Sequence, residues 1–76
     1  MLKILLVDDD ADAMRITQRA LALFEKAEVV GTAACGIDAM EFVKNNAVDL
    51  VLLDIEMQDM SGFEVATYLY KNYPKI

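Results

Sequence analysis

The sequence predicts an α/β fold, a parallel sheet with helices on both of its faces. Two short aliphatic runs, Ile4 to Val7 and Leu50 to Leu53, alternate with longer amphipathic stretches over 76 residues. Both runs are apolar at every position, as in strands covered on both faces, and do not alternate as a strand with one wet face would. Each run also ends on acid, Asp8-Asp9-Asp10 after the first and Asp54 after the second, and open α/β sheets place their ligand sites at that end of their strands.

In chain order, Lys3 to Val7 is a first buried strand, ended by the three aspartates. Asp10 suits the N-cap of a helix reaching about Lys26, with Asp12, Arg15, Arg19 and Lys26 on its polar side and Ala13, Ile16, Ala20, Leu23 and Ala27 opposite. Glu28 to Ala33, rich in valine with Gly31 inside, reads as a second strand, and Gly36 punctuates the turn after it. Ile37 to Asn46 forms a second helix, with Asp38, Glu41 and Asn45 on one face and Met40, Val43 and Ala47 on the other. Leu50 to Leu53, between Asp49 and Asp54, reads as the buried central strand of the sheet. After a loop from Met57, Ser61 or Gly62 opens a third helix, with Phe63, Ala66 and Tyr70 in one stripe and Val65 and Leu69 in the next. Asn72-Tyr73-Pro74 stops that helix, and Lys75-Ile76 reads as the first residues of another strand. No internal repeat, low-complexity tract or linker divides the chain.

Composition narrows the function. Hydrophobic residues make up 57% of the chain, enough for a packed core, yet no apolar run approaches the roughly 20 residues of a membrane span. The opening segment runs into acids and not into a small-residue cleavage site, so a cytoplasmic chain with no membrane partner is expected. Thirteen acids against seven bases, a net charge of −6, disfavour direct contact with nucleic acid. Cys35 is alone, which leaves neither a disulfide nor a thiolate zinc site, and the absence of histidine excludes imidazole bases and ligands.

Parallel strands bring their carboxyl ends to one edge, so Asp8, Asp9 and Asp54 converge if the first and third strands are neighbours. Such carboxylates repel by about 4 kcal/mol per pair at ~4 Å and an effective dielectric near 20. Protonation of one member or a bound divalent cation would relieve this. The all-oxygen set suits Mg²⁺, Mn²⁺ or Ca²⁺, and so few carboxylates favour Mg²⁺. A carboxylate beside such an ion is a competent nucleophile toward phosphorus.

The segments Ile4-Leu5-Leu6-Val7-Asp8-Asp9-Asp10, Asp49-Leu50-Val51-Leu52-Leu53-Asp54-Ile55-Glu56-Met57 and Met60-Ser61-Gly62 stand at spacings that resemble the receiver domain of bacterial two-component response regulators, across the whole chain. The resemblance implies a three-layer, flavodoxin-like receiver fold with parallel strand order 2-1-3. It implies that Asp54 accepts a phosphoryl group from a sensor histidine kinase or a phosphotransfer protein. Mg²⁺, with Mn²⁺ as a substitute, would be held by Asp8, Asp9, Asp54 and the backbone carbonyl of Glu56. A signalling module is implied, and not an enzyme. Gln58 stands where the family usually has proline and Ser61 where it often has aspartate. Against the family pattern, residues 1–76 read as a partial receiver in which a fourth strand has only begun. The strand ending in Thr or Ser, the later one ending in Lys, and an output domain are missing.

Other functions compete with this one. A receiver-like interaction module is the main alternative, since an open strand edge and uncovered apolar surface favour self-association into a homo-oligomer. A phosphatase passing through an aspartyl phosphate would need a second aspartate where Glu56 stands, and a flavodoxin-like electron carrier would need hydroxyls and free N–H groups where the acids follow the first strand.

Overall fold

A computed structural model describes all 76 residues. Strands and helices alternate as β1 (Leu2–Val7), α1 (Ala11–Leu21), β2 (Ala27–Ala33), α2 (Gly36–Asn45), β3 (Leu50–Leu53) and α3 (Gly62–Asn72). The strands form one parallel sheet in the order β2-β1-β3, the 2-1-3 order that the family resemblance implies.

The centre of the sheet is therefore β1 and not Leu50–Leu53, the run expected there. Ile4 to Val7 are at most 2% exposed, whereas Leu50 and Leu52 keep 38% and 37% of their surface. Both runs are wholly aliphatic, and what separates them is that β1 pairs on two sides while β3 pairs on one.

Side chains of β1 alternate between the two faces. Leu5 and Val7 join Ala33 of β2, Ala39 and Val43 of α2, and Val65 and Leu69 of α3 in one buried cluster. Ile4 and Leu6 face α1, where Leu6 and Leu52 line a cleft with Met14 and Thr17, and Ile4 and Leu50 line another with Leu21 and Phe24. The sheet thus has two helices on one face and one on the other.

Asp10 caps α1, its carboxylate accepting the amides of Asp12 at 2.9 Å and Ala13 at 3.2 Å. The helix then departs from expectation in two ways. Its half-buried positions are Ala13, Met14, Thr17, Gln18 and Leu21, while Ile16, Ala20 and Leu23 of the expected apolar face point to solvent. It also stops at Leu21 and not near Lys26. Eleven helical residues span roughly 16 Å, close to the roughly 20 Å of β1, and a helix to Lys26 would span about 24 Å. Such a helix would overshoot the start of β2, where Ala27 must pair with Leu2. Leu23 and Phe24 instead donate to the carbonyls of Ala20 and Leu21, which turns the chain early.

Gly36, expected in a turn, is the buried first residue of α2. Helix α3 opens with Ser61 in a capping box, its hydroxyl accepting the Glu64 amide and the Glu64 carboxylate accepting the Ser61 amide. Of its two predicted stripes, Val65 and Leu69 enter the core, whereas Phe63, Ala66 and Tyr70 are exposed. Lys75-Ile76 does not begin a strand. The Ile76 amide donates to the Tyr73 carbonyl at 3.0 Å, and the turn packs Ile76 against the core.

The start of α3 lies directly on the end of β3. A Cβ on Gly62 would overlap the carbonyl oxygen of Asp54 and come within 2.8 Å of the Ile55 Cα, and the Gly62 amide donates to the Ile55 carbonyl at 2.7 Å. Alanine normally stabilises a helix over glycine by about 1 kcal/mol. Here the clash is with backbone, so Gly62→Ala is expected to destabilise by about 1–3 kcal/mol in chemical denaturation, the cost of overpacking.

Candidate functional site

Strand register builds the site. Val7 pairs with Ala33 on one side and Leu53 on the other, so Asp8 and Asp54 are the next residues of two adjacent parallel strands and leave the sheet side by side. The ladder continues one step beyond the strands, with the Asp8 amide donating to the Ala33 carbonyl at 3.0 Å and the Asp54 amide to the Val7 carbonyl at 2.9 Å. The Asp8 Oδ1 then accepts the Asp10 amide at 2.9 Å, an Asx turn that leads the chain out of β1 and into α1.

Asp8, Asp9 and Asp54 each offer a carboxylate oxygen within 4.8 Å of the other two. Asp8 and Asp54 are half-buried and Asp9 is exposed. Asp10 is turned away into the cap of α1. The Glu56 carboxylate lies outside the cluster, and the Glu56 amide sits 3.4 Å from the Asp54 Oδ1. Asp8 and Asp54 also line a cleft of about 370 Å³ whose other walls are Leu6, Val7, Met14, Thr17, Leu52 and Leu53.

No lysine or arginine pairs with the three carboxylates; the one ion pair, Arg15 with Asp12, lies on the outside of α1. Their repulsion is therefore uncompensated within the chain. The donor set fits a hard divalent ion. It is all oxygen, and its spread matches the coordination sphere of Mg²⁺, whose opposite ligands stand about 4.2 Å apart, with room for a water in place of a direct bond. The absence of nitrogen or sulfur donors speaks against zinc and copper.

One residue near the site escaped the reading of the sequence. Asp59, in the loop after β3, accepts the amides of Gly36 and Ile37 at 3.0 Å each and so caps α2 across 23 and 22 residues of chain. The Gly36 amide, followed by that of Ile37, holds the Asp59 carboxyl below the usual carboxylate range. Only the weak cap offered by Cys35, which makes no side-chain bond to the helix, could have signalled it.

The sequence matches the family profile of the response regulator receiver domain over residues 4–76. It is 41% identical to the sensory transduction protein LytT of Bacillus anthracis over an alignment of 78 positions, covering 100% of this chain and 32% of LytT. Identity to the response regulator UvrY of Escherichia coli is 41% over 64 positions, 84% of this chain and 29% of UvrY. The chain thus spans about a third of the length of these relatives. Among solved structures, the response regulator TrrA of Thermotoga maritima in complex with Mg²⁺-BeF superposes with a TM-score of 0.89 at 36% identity, over 97% of this chain and 63% of TrrA. TrrA has also been solved in complex with the histidine kinase ThkA, and that copy superposes with a TM-score of 0.87. Acids placed by register at the carboxyl edge of a 2-1-3 sheet, and a family match from Ile4 to the last residue, make this chain a member of the response regulator receiver domains of two-component systems.

Proposed function

We propose that Asp54 is the phosphoacceptor of this receiver, taking a phosphoryl group from a phosphohistidine of a sensor histidine kinase or phosphotransfer protein. Mg²⁺ would be held by Asp8, Asp9, Asp54 and the backbone carbonyl of Glu56. The observation that carries the reading is the convergence of three unpaired carboxylates within 4.8 Å at the end of β1 and β3. When bound, the ion offsets negative charge on the carboxylates and on the incoming phosphoryl oxygens. The chain's own residues do the rest. An oxygen of Asp54 attacks phosphorus in line, the O–P bond forms as the P–N bond breaks, and the electron pair of that bond returns to the imidazole nitrogen. The backbone of Asp54 is held for this attack by the Val7 carbonyl on its amide and by the close approach of Gly62 to its own carbonyl, so the point from which its side chain reaches is fixed.

Three outcomes are expected. Incubated with Mg²⁺ and acetyl phosphate, the whole protein gains one phosphoryl mass by intact mass spectrometry, and Asp54→Asn gains none; an added mass that persists in Asp54→Asn would exclude Asp54 as the acceptor. Mg²⁺ at ten times its Kd raises the unfolding free energy by about 1.4 kcal/mol. Asp9→Asn is more stable than the parent without metal, because one repelling charge is gone, and loses most of the Mg²⁺ increment in the same denaturation series.

A second reading, a module that self-associates, has its own observation in the open edge of β3 and the exposed Leu50 and Leu52 beside it. Light scattering on the 76-residue chain should show a homo-oligomer at tens of micromolar, shifted toward monomer by Leu52→Lys. A folded monomer throughout the high micromolar range removes this reading.

A further inference from the structure

We propose that Asp59 is a positioning residue: by capping α2 from the neighbouring loop, its carboxylate holds the segment between β3 and α3, and with it the Glu56 carbonyl, in the arrangement that binds the metal. What the segment is held for rests on the receiver reading above.

The first amides of a helix have no partner within it. Most helices meet this need with a local side chain, as Asp10 does for α1 and Ser61 for α3. Cys35, at the start of α2, makes no such bond. Asp59 supplies both oxygens in its place, Oδ1 to the Gly36 amide and Oδ2 to the Ile37 amide, each at 3.0 Å. Two bonds from one planar carboxylate fix its orientation as well as its distance.

The same loop has few other restraints. Its start is pinned by the Asp54 amide on Val7 and its end by the Gly62 amide on Ile55. Between these points, Met57 packs against the core, while Glu56 to Gln58 have one hydrogen bond, the 3.4 Å contact of the Glu56 amide with Asp54, and no proline limits their backbone. Met60 packs against α2 at Gly36, where a Cβ would meet its sulfur at 2.6 Å, so loop and helix start are fitted closely on both sides of the Asp59 bond. Helix α2 is itself anchored in the core through Ala39 and Val43. Asp59 thus transmits the position of a rigid element to a segment that has one long hydrogen bond and one core contact, Met57, of its own.

A mere cap and a positioning residue are separated by moving the cap. In Asp59→Ala the melting temperature falls, Mg²⁺ affinity measured by calorimetry falls about tenfold, the size of effect typical of groups that orient metal ligands, and the Gly62 amide, whose bond to the Ile55 carbonyl closes the loop, loses hydrogen-exchange protection. Adding Cys35→Asp to Asp59→Ala gives α2 a local cap and returns the melting temperature, while Mg²⁺ affinity and loop protection stay low. Asp59→Asn, which keeps one acceptor, lies between parent and Asp59→Ala. If the double variant recovers affinity and protection together with stability, or if Asp59→Ala changes neither, Asp59 only caps a helix and the inference fails. If the parent chain binds no Mg²⁺, the metal reading of the site fails, and Asp59 is judged on exchange alone: protection lost in the double variant upholds its role in holding the loop, and protection kept overturns it.

Discussion

Pairing of Val7 with Leu53 fixes where every acidic side chain of the site lies. In a parallel ladder the residues after a pair leave the sheet at the same level, so this one register puts Asp8 beside Asp54. A slip by one residue would turn Leu5 and Val7 from the face covered by α2 and α3 to the face covered by α1, exchanging a packed core for a half-open one. The burial that fixes the register is therefore also what collects the charge. Three carboxylates that would repel in any arrangement are held together by the removal of Ile4, Leu5, Leu6 and Val7 from water, each worth about 1.5–3 kcal/mol when fully buried.

That dependence explains what could be read from the sequence. Asp8, Asp9 and Asp54 were legible because each stands where an unbroken apolar run ends, and such runs mark covered strands whatever their neighbours are. Which strand is central was not legible, since Ile4–Val7 and Leu50–Leu53 are both unbroken aliphatic runs of four and what sets them apart is how many partners they pair with. The face of α1 was misread for a related reason. Ile16, Ala20 and Leu23 and the observed Met14, Thr17 and Leu21 both recur at helical spacing, and a threonine in the inward set lowers its apparent hydrophobicity. The end of α1 is set by the length of β1 and the start of β2, distances that no local propensity encodes. Asp59 was invisible because its partners lie 22 and 23 residues away.

The loop after β3 shows how departures from a family pattern are absorbed. Ser61, where aspartate is often found, serves as the N-cap of α3 with Glu64 completing the box, so the helix start is satisfied by different chemistry. Gln58, in place of a proline, leaves its own backbone and that of Met57 without the restraint of a ring. The restraint that a ring would give locally is supplied from outside, by amides of α2 on Asp59.

The half-open edge of β3 raises the question of whether Asp54, at the end of the least covered strand, is held firmly enough to act. Strand exposure and site order are separate here. Leu50 and Leu52 lose burial on the side facing α1 and at the free edge, but the end of the strand is fastened by β1 and by α3. The Asp54 amide bonds to Val7 of the buried central strand, the Ile55 carbonyl accepts the Gly62 amide, and Gly62 lets α3 rest on the Asp54 peptide itself. Helix α3 is in turn anchored by Val65 and Leu69 in the core cluster. Surface added to or removed from the α1 face therefore shifts overall stability and association, while the backbone of Asp54 is held by the ladder bond to β1 and by the start of α3.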